Sequence, residues 1–195
     1  MASYFTLEEA YAAKREREPL RESVEILRKS MESASLTDTF DVFLSHSSKD
    51  ADLILGIKSL LEERGLSVYV DWISDPQLDR SKVTANTANQ LRARMRQCDS
   101  LIYAATTNAT SSKWMPWELG YFDGHRGDEH IAIMPFVRHQ GDAFSGQEYL
   151  SLYAVIQKDI YQNGTPGEFV EVKGRRWMPL KNFTRHAKAW RSYTP

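Results

Sequence analysis

The amino-acid sequence predicts an α/β protein built on a doubly wound parallel sheet. Short apolar runs alternate with helical stretches through the middle of the chain, the pattern of strands joined by helical crossovers. Polar loops follow the ends of the apolar runs. Ligands of open parallel sheets bind in the crevice at the carboxyl ends of the strands, so these loops are where a site is expected.

Four buried strands are predicted in the middle of the chain, because each is a short, mostly apolar run bounded by polar or turn-forming residues. They cover residues 40–44, 66–72, 100–105 and 131–136. A fifth strand is predicted over 152–156, and a small hairpin pairs 169–172 with 175–177.

Helices are predicted between these strands. The first covers 51–64, where apolar residues recur on one face, and either Ser48 or Asp50 is suited to cap it. A second covers 84–97, and a closing helix is expected over 180–190.

The first 37 residues are dense in charged residues and alanine. Within them Leu20, Val24, Leu27 and Met31 recur at helical spacing. The stripe fits a helix packed on its own domain or one that pairs protomers. The predicted division is an N-terminal helical extension over 1–37, a core over 38–160, and a hairpin and helix over 161–195.

Composition excludes several classes of protein. A net charge of −1 is unlike that of a nonspecific nucleic-acid binder. The single cysteine, Cys98, allows neither an intrachain disulfide nor a cysteine-based zinc site. No signal peptide or membrane-spanning run is recognised, so a cytoplasmic location without membrane contact is expected.

Neither common phosphate-binding loop nor a metal-ligand pattern occurs. The chain lacks GxGxxG and GxxxxGK[ST], which argues against a dehydrogenase or a P-loop NTPase. Its histidines show no metal-ligand spacing with carboxylates, so no metal site is predicted.

The candidate site residues share one position, the expected carboxyl edge of the sheet. They are Ser45 and His46 after the first strand, Asp71 and Trp72 at the end of the second, and Trp114, Trp117 and Glu118 after the third. Hydroxyl, carboxylate and aromatic side chains of this kind can hold a nucleotide by stacking and by hydrogen bonds to ribose.

Two motifs resemble those of Toll/interleukin-1 receptor (TIR) domains. "FDVFLSHSSKD" followed by a helix resembles the first TIR motif. "SSKWMPWELGY" resembles the segment of NAD-cleaving TIR enzymes that carries the catalytic glutamate, where W-x-x-x-E matches Trp114 and Glu118. The resemblance implies a flavodoxin-like sandwich around a five-stranded parallel sheet.

The chain departs from receptor-adaptor TIR domains at two places. The loop "ISDPQLDRSKVTANTA" lacks their compact proline-and-glycine form, and the N-terminal segment is additional. Together with the motifs, this resembles bacterial TIR proteins of Thoeris-type antiphage systems. The resemblance implies NAD+ as substrate without a further cofactor, Glu118 as the catalytic residue, a homo-oligomer, and a separate effector that reads a nucleotide signal.

The chemistry of NAD+ fits a single acid. Nicotinamide is already a cationic leaving group, and a carboxylate stabilises the oxocarbenium-like ribose that forms as it departs. Capture by water gives ADP-ribose, capture by the same molecule gives a cyclic isomer, and capture by another molecule gives a conjugate.

Structural roles remain open beside these functional ones. Glu118 also suits the first turn of a helix for its dipole, Trp114 and Trp117 suit core packing, and His46 suits an ordinary hydrogen-bonding role. Asp71 and Trp72 either enter the pocket or end a strand. Two other functions fit: a non-catalytic TIR scaffold acting by self-association, and a nucleoside deoxyribosyltransferase-like enzyme.

Overall fold

The computed structural model describes residues 2–17, 38–75, 84–161, 163–183 and 189–192. The strands within these ranges are β1 (Phe5–Thr6), β2 (Phe40–Ser45), β3 (Val68–Tyr69), β4 (Cys98–Ala105), β5 (Ile131–Val137), β6 (Ala154–Ile160), β7 (Pro166–Val172), β8 (Arg176–Pro179) and β9 (Arg191–Ser192). The α-helices there are α1 (Leu7–Arg17), α2 (Ala51–Glu63), α3 (Asp71–Ser74), α4 (Ala85–Gln97) and α5 (Trp114–Arg126).

The centre of the molecule is a parallel sheet in the order β3-β2-β4-β5-β6. This confirms the predicted five-stranded parallel sheet and its doubly wound connections. β7, β8 and β9 continue the same sheet in antiparallel fashion. The predicted hairpin is therefore confirmed as β7 and β8, which add to the sheet edge rather than standing apart.

Each face of the sheet is covered by a different helical layer. Side chains of β2 alternate between the two sides, as strand geometry requires. Val42 and Leu44 join the cluster that includes α2, whereas Phe43 joins the cluster that includes α4 and α5. Ser45 follows the same alternation as Phe43, so the end of β2 presents a hydroxyl beneath α5.

The N-terminal segment is joined to the core at both β5 and β6. β1 pairs in parallel with the end of β5, and Ser3 bridges to Lys158 on β6. Lys158 Nζ also contacts Glu9 Oε1 at 2.6 Å. α1 thus packs on its own domain. The predicted stripe from Leu20 to Met31 lies outside the described residues, and both its role and the domain division stay predictions.

The predicted second strand is too long. β3 ends at Tyr69, and Asp71 begins the short helix α3 because the Val70 carbonyl accepts from the backbone N–H groups of Ile73 and Ser74. Asp71 and Trp72 therefore lie on a helical turn, not at a strand end.

The closing helix predicted over 180–190 is wrong where the structure describes it, at 180–183 and 189–190. Leu180–Asn182 forms a single 3-10 turn, and β9 pairs with β8. The Arg176 guanidinium lies 4.5 Å from the centre of the Trp190 ring, a cation–π contact that helps hold this end of the chain on the sheet.

No helix in the described ranges is both long enough and apolar enough to cross a bilayer.

The contact between α1 and α2 predicts an unusual response to a helix-favouring substitution. A Cβ at Gly56 would lie 1.8 Å from the Ala10 carbonyl oxygen. Overpacking of a core costs about 1–3 kcal/mol, and here the obstructing atom is backbone. We therefore expect Gly56→Ala to lower the free energy of unfolding in urea, although alanine favours a helix by about 1 kcal/mol over glycine.

Gly124→Ala is the matched control, because a Cβ on this helical glycine meets no atom within 4 Å. It should raise stability by about 0.5–1 kcal/mol. A Gly56→Ala protein as stable as Gly124→Ala would contradict the close packing of α1 on α2.

Candidate active site

The ends of β2 and β4 meet at the carboxyl edge of the sheet. Ser45, the last residue of β2, pairs in register with Tyr103 of β4. β4 continues to Ala105, and a loop then leads into α5, which begins at Trp114 and crosses the same face of the sheet. The first turns of α5 therefore lie over the end of β2.

Glu118 lies in this arrangement with no exposed surface. The hydroxyl of Ser45, which is also fully buried, donates a hydrogen bond of 2.6 Å to Glu118 Oε2. Burying a carboxylate is costly unless hydrogen bonds replace its water, and bonds to a charged acceptor are the stronger kind. The Ser45 bond thus stabilises Glu118 within the fold and fixes its orientation.

The charge of the Glu118 carboxylate influences the pKa of Tyr103. Burial raises the pKa of the Tyr103 hydroxyl above its usual value, and the neighbouring Tyr149 and the negative charge of Glu118 raise it further. Tyr103 therefore stays a neutral phenol beside the Ser45–Glu118 pair.

His46, Trp72 and Asp71 form a second cluster at the same edge. His46 Nδ1 lies 2.8 Å from the Leu44 carbonyl oxygen, and the Trp72 indole Nε1–H donates to His46 Nε2 at 3.1 Å. Since an indole N–H can only donate, His46 Nε2 is the acceptor in this contact. Asp71 Oδ1 lies 3.4 Å from the same Nε2 atom.

The two tryptophans of α5 have different surroundings. Trp114 is only 8% exposed and packs in the cluster beneath α4 and α5. Trp117 is half-buried, meets Trp114 edge-on at 5.3 Å, and stacks on Tyr121 at 5.9 Å. The Arg92 guanidinium lies 5.2 Å from the Trp117 ring. Trp117 therefore belongs to an aromatic row along α5.

The sequence-predicted residues thus fall into three sets. Ser45 and Glu118 are in direct contact, His46, Asp71 and Trp72 are in contact with one another, and Trp114 and Trp117 form a pair of rings. Adjacency of Ser45 and His46 along the chain joins the first two sets, and adjacency of Trp117 and Glu118 joins the third.

The expected cap of α2 is corrected by the structure. Ser47, rather than Ser48, caps the 3-10 turn that precedes α2, accepting from the Lys49 backbone N–H at 3.4 Å. Asp50 occupies the N-cap position of α2 but makes no side-chain cap bond. Its carboxylate instead accepts hydrogen bonds from the loop after β4.

A further ion pair that sequence reasoning missed holds the end of α3. Arg94 of α4 donates from Nε to Asp75 Oδ2 at 2.6 Å and from Nη2 to Oδ1 at 2.7 Å. The Tyr69 hydroxyl donates to the same carboxylate at 2.6 Å. Burial and this bond raise the pKa of Tyr69 well above its usual value. The only sequence signal was a basic residue on the polar face of α4.

Within the described residues no group of three or more histidine, cysteine, aspartate or glutamate side chains is arranged to hold a metal ion.

The Arg94–Asp75 pair predicts a large stability effect. Its two side chains are each 11% exposed, and removing one member of a buried ion pair costs about 3–5 kcal/mol. We expect Arg94→Met to lower the free energy of unfolding in urea by about 3 kcal/mol, because Asp75 loses its guanidinium partner. Arg96→Met, an exposed position on the same helix, should change it little. Equal losses in both variants would contradict a specific role for the pair.

Comparisons with known proteins agree with this fold. A family profile described as "TIR domain" matches residues 42–162. A Bacillus cereus (strain MSX-D12) protein named "Probable 3' cyclic ADP-D-ribose synthase ThsB'" is 44% identical over 160 residues, covering 81% of this chain and 82% of that protein. A Cytobacillus dafuensis protein named "Putative cyclic ADP-D-ribose synthase TIR2" is 36% identical over 83 residues, covering 42% and 22% respectively.

Among solved structures, the TIR domain of the Toll-related receptor TRR-2 from Hydra magnipapillata matches with a TM-score of 0.40 and 15% identity. The match covers 57% of this chain and 78% of that one. Because the family profile matches more than half of this chain, the chain belongs to the TIR domain family.

Proposed function

We propose that this chain is an NAD+-consuming TIR enzyme that breaks the nicotinamide–ribose bond and closes the resulting ADP-ribose into a cyclic isomer. The observation that carries the proposal is the buried Glu118 carboxylate, oriented by Ser45 at the carboxyl edge of the sheet. The similarity to the Bacillus cereus synthase, over four-fifths of both chains, supports the same assignment.

Bond breaking needs one well-placed negative charge. The pyridinium nitrogen leaves with the electron pair of the glycosidic bond and becomes neutral nicotinamide, so no general acid is required. Positive charge grows on the ribose, and a carboxylate in a site that excludes water stabilises it strongly. Glu118 supplies that charge in the proposal, and no further cofactor is needed for this chemistry.

Ser45 has a different role from the one its position at a strand end suggests. Its hydroxyl donates to Glu118, so we propose that Ser45 orients the carboxylate rather than binding substrate. Because Glu118 has no exposed surface here, the ribose can approach it only after surrounding side chains rearrange.

Ring closure follows if a hydroxyl of the same molecule captures the ribose before water does. The hydroxyl oxygen forms a bond to the anomeric carbon and its proton is released, so that NAD+ yields a cyclic ADP-ribose, nicotinamide and one proton. The name of the Bacillus cereus relative points to the 3′ oxygen as this nucleophile. In this proposal Glu118 accepts that proton once the nicotinamide has left.

The cyclic product would act as a signal. By the Thoeris-type resemblance, we propose that a separate effector reads it in antiphage defence and that the enzyme works in the cytoplasm as a homo-oligomer. The TIR fold and the similarity to a cyclic ADP-ribose synthase support this context.

A substitution at Glu118 tests the proposal directly. Glu118→Gln keeps the shape and an acceptor for Ser45 but removes the charge. We expect the rate of nicotinamide release from NAD+ to fall on the order of 10²–10³-fold, the usual loss when a transition-state stabiliser is removed. Release and products are followed by chromatography and mass spectrometry. Glu63→Gln, a partly exposed position at the end of α2, is the control and should keep wild-type turnover.

Three other results would each exclude part of the proposal. Equal turnover by wild type and Glu118→Gln would remove Glu118 from catalysis. No turnover by the wild type at any protein concentration would favour the non-catalytic scaffold. Turnover of nucleosides but not of NAD+ would favour the deoxyribosyltransferase-like function.

A further inference from the structure

Asp50 is a buried acid whose local role is not the one its position favours. It stands at the N-cap of α2, where an aspartate normally accepts from backbone N–H groups of the first turn. It makes no such bond, and its side chain is directed away from the helix it precedes. Only 8% of Asp50 is exposed, so its carboxylate needs partners elsewhere.

Those partners come from the loop after β4. Thr106 Oγ1 donates to Asp50 Oδ2 at 2.6 Å, and Asn108 Nδ2 donates to Asp50 Oδ1 at 2.6 Å. The Asn108 backbone N–H in turn donates to Thr106 Oγ1 at 3.2 Å. Both carboxylate oxygens are therefore used on one short stretch of this loop, which we name the Asp50 clasp: Asp50, Thr106 and Asn108.

The clasp joins the same two segments as the Ser45–Glu118 bond. Ser45 is the last residue of β2, and Asp50 lies between β2 and α2. Thr106 lies just after β4, on the loop that leads to α5 and Glu118. The intervening loop contains one 3-10 turn, Ala109–Ser111, before α5 begins. A shift of the loop at Thr106 would therefore move the start of α5 relative to Ser45.

Such a shift matters for a reaction that depends on one charge. The rate of an enzymatic step can fall about 10²-fold when a group is displaced by about 1 Å. The Ser45–Glu118 hydrogen bond holds the buried face of α5 to the end of β2, and the clasp adds an attachment on the loop that leads into the same helix.

We propose that Asp50 is a positioning residue for NAD+ cleavage, acting through Thr106 and Asn108 to hold α5 so that Glu118 faces the reacting ribose. This rests on the proposed function of Glu118. The negative charge is part of the role, because hydrogen bonds to a carboxylate are about twice as strong as neutral ones. In both bonds of the clasp to Asp50, the carboxylate oxygen is the acceptor.

Asp50→Asn is the informative variant, because it keeps the size of the side chain but removes the negative charge that strengthens both clasp bonds. We expect kcat for nicotinamide release to fall 10- to 100-fold while KM for NAD+ changes less than threefold. Asp52→Asn is the matched control: the same change two residues along α2, on a side chain that is 73% exposed and contacts Lys14. It should leave both constants unchanged.

A double variant separates positioning from a general loss of folding. Asp50→Asn combined with Asn108→Asp exchanges donor and acceptor across the clasp, since the new amide can donate to the new carboxylate and still accept from Thr106. We expect it to recover kcat to within threefold of the wild type. If Asp50→Asn fails to fold, Thr106→Val removes the Thr106 bond to Asp50 and the Asn108 N–H bond to Thr106 at nearly constant shape, and carries the same expectation of lowered kcat.

Hydrogen exchange of the peptide covering 106–118 gives a readout that does not need activity. Faster exchange of this peptide in Asp50→Asn, with peptides of β6 and β7 unchanged, supports the proposal. Unchanged exchange in 106–118, or a wild-type kcat in Asp50→Asn, overturns it even if Glu118→Gln is inactive. An inactive wild type with the expected exchange pattern instead counts against the proposed function while leaving the clasp in place.

Discussion

The hydrogen bond from Ser45 to the fully buried Glu118 is the interaction on which the carboxyl edge of the sheet depends. A buried carboxylate must be supplied with hydrogen-bond donors, and one of them is the Ser45 hydroxyl at the end of β2. The bond joins α5 to the end of β2 beside the apolar packing of the same helix on the sheet. It also explains why the residue at the end of an otherwise apolar strand is a serine, because an aliphatic side chain there would leave the carboxylate without this donor.

The remaining features of this edge hold neighbouring segments in place around that bond. Asp50 fastens the loop after β4, and Arg94 with Asp75 fastens the end of α3. His46, placed between the Leu44 carbonyl and the Trp72 indole, joins α3 to the end of β2. The Asp50 and His46 contacts join segments that follow different strands, whereas Arg94 and Asp75 both lie in the connection between β3 and β4. These polar contacts supplement the apolar packing that holds the two faces of the sheet.

Much of this could be read from the sequence, and the failures have a common cause. Strand alternation and the TIR motifs placed Ser45 and Glu118 at the same edge, because parallel strands end together. Local rules offer either Asp50 or Ser48 as a helix cap and leave Asp71 between the pocket and a strand end, since they assign a side chain to its nearest backbone. The structure gives Asp50 a partner 56 residues away in the chain, and no local rule anticipates a competition between a cap and a distant loop.

The sequence by itself determined the five strands of the parallel sheet, the helices α2 and α4 between them, and the position of one acid beside two tryptophans at the carboxyl edge. Periodicity and short motifs are sufficient for these, because they depend on contacts between near neighbours and on the fixed hand of crossover connections. Only the tertiary structure decided which donors satisfy Glu118 and Asp50, that Trp114 is core while Trp117 lies in a row with Tyr121, and that β1 pairs with β5. These outcomes depend on which residues meet when distant segments close over a common core, where each buried polar group takes the partner that folding brings within reach.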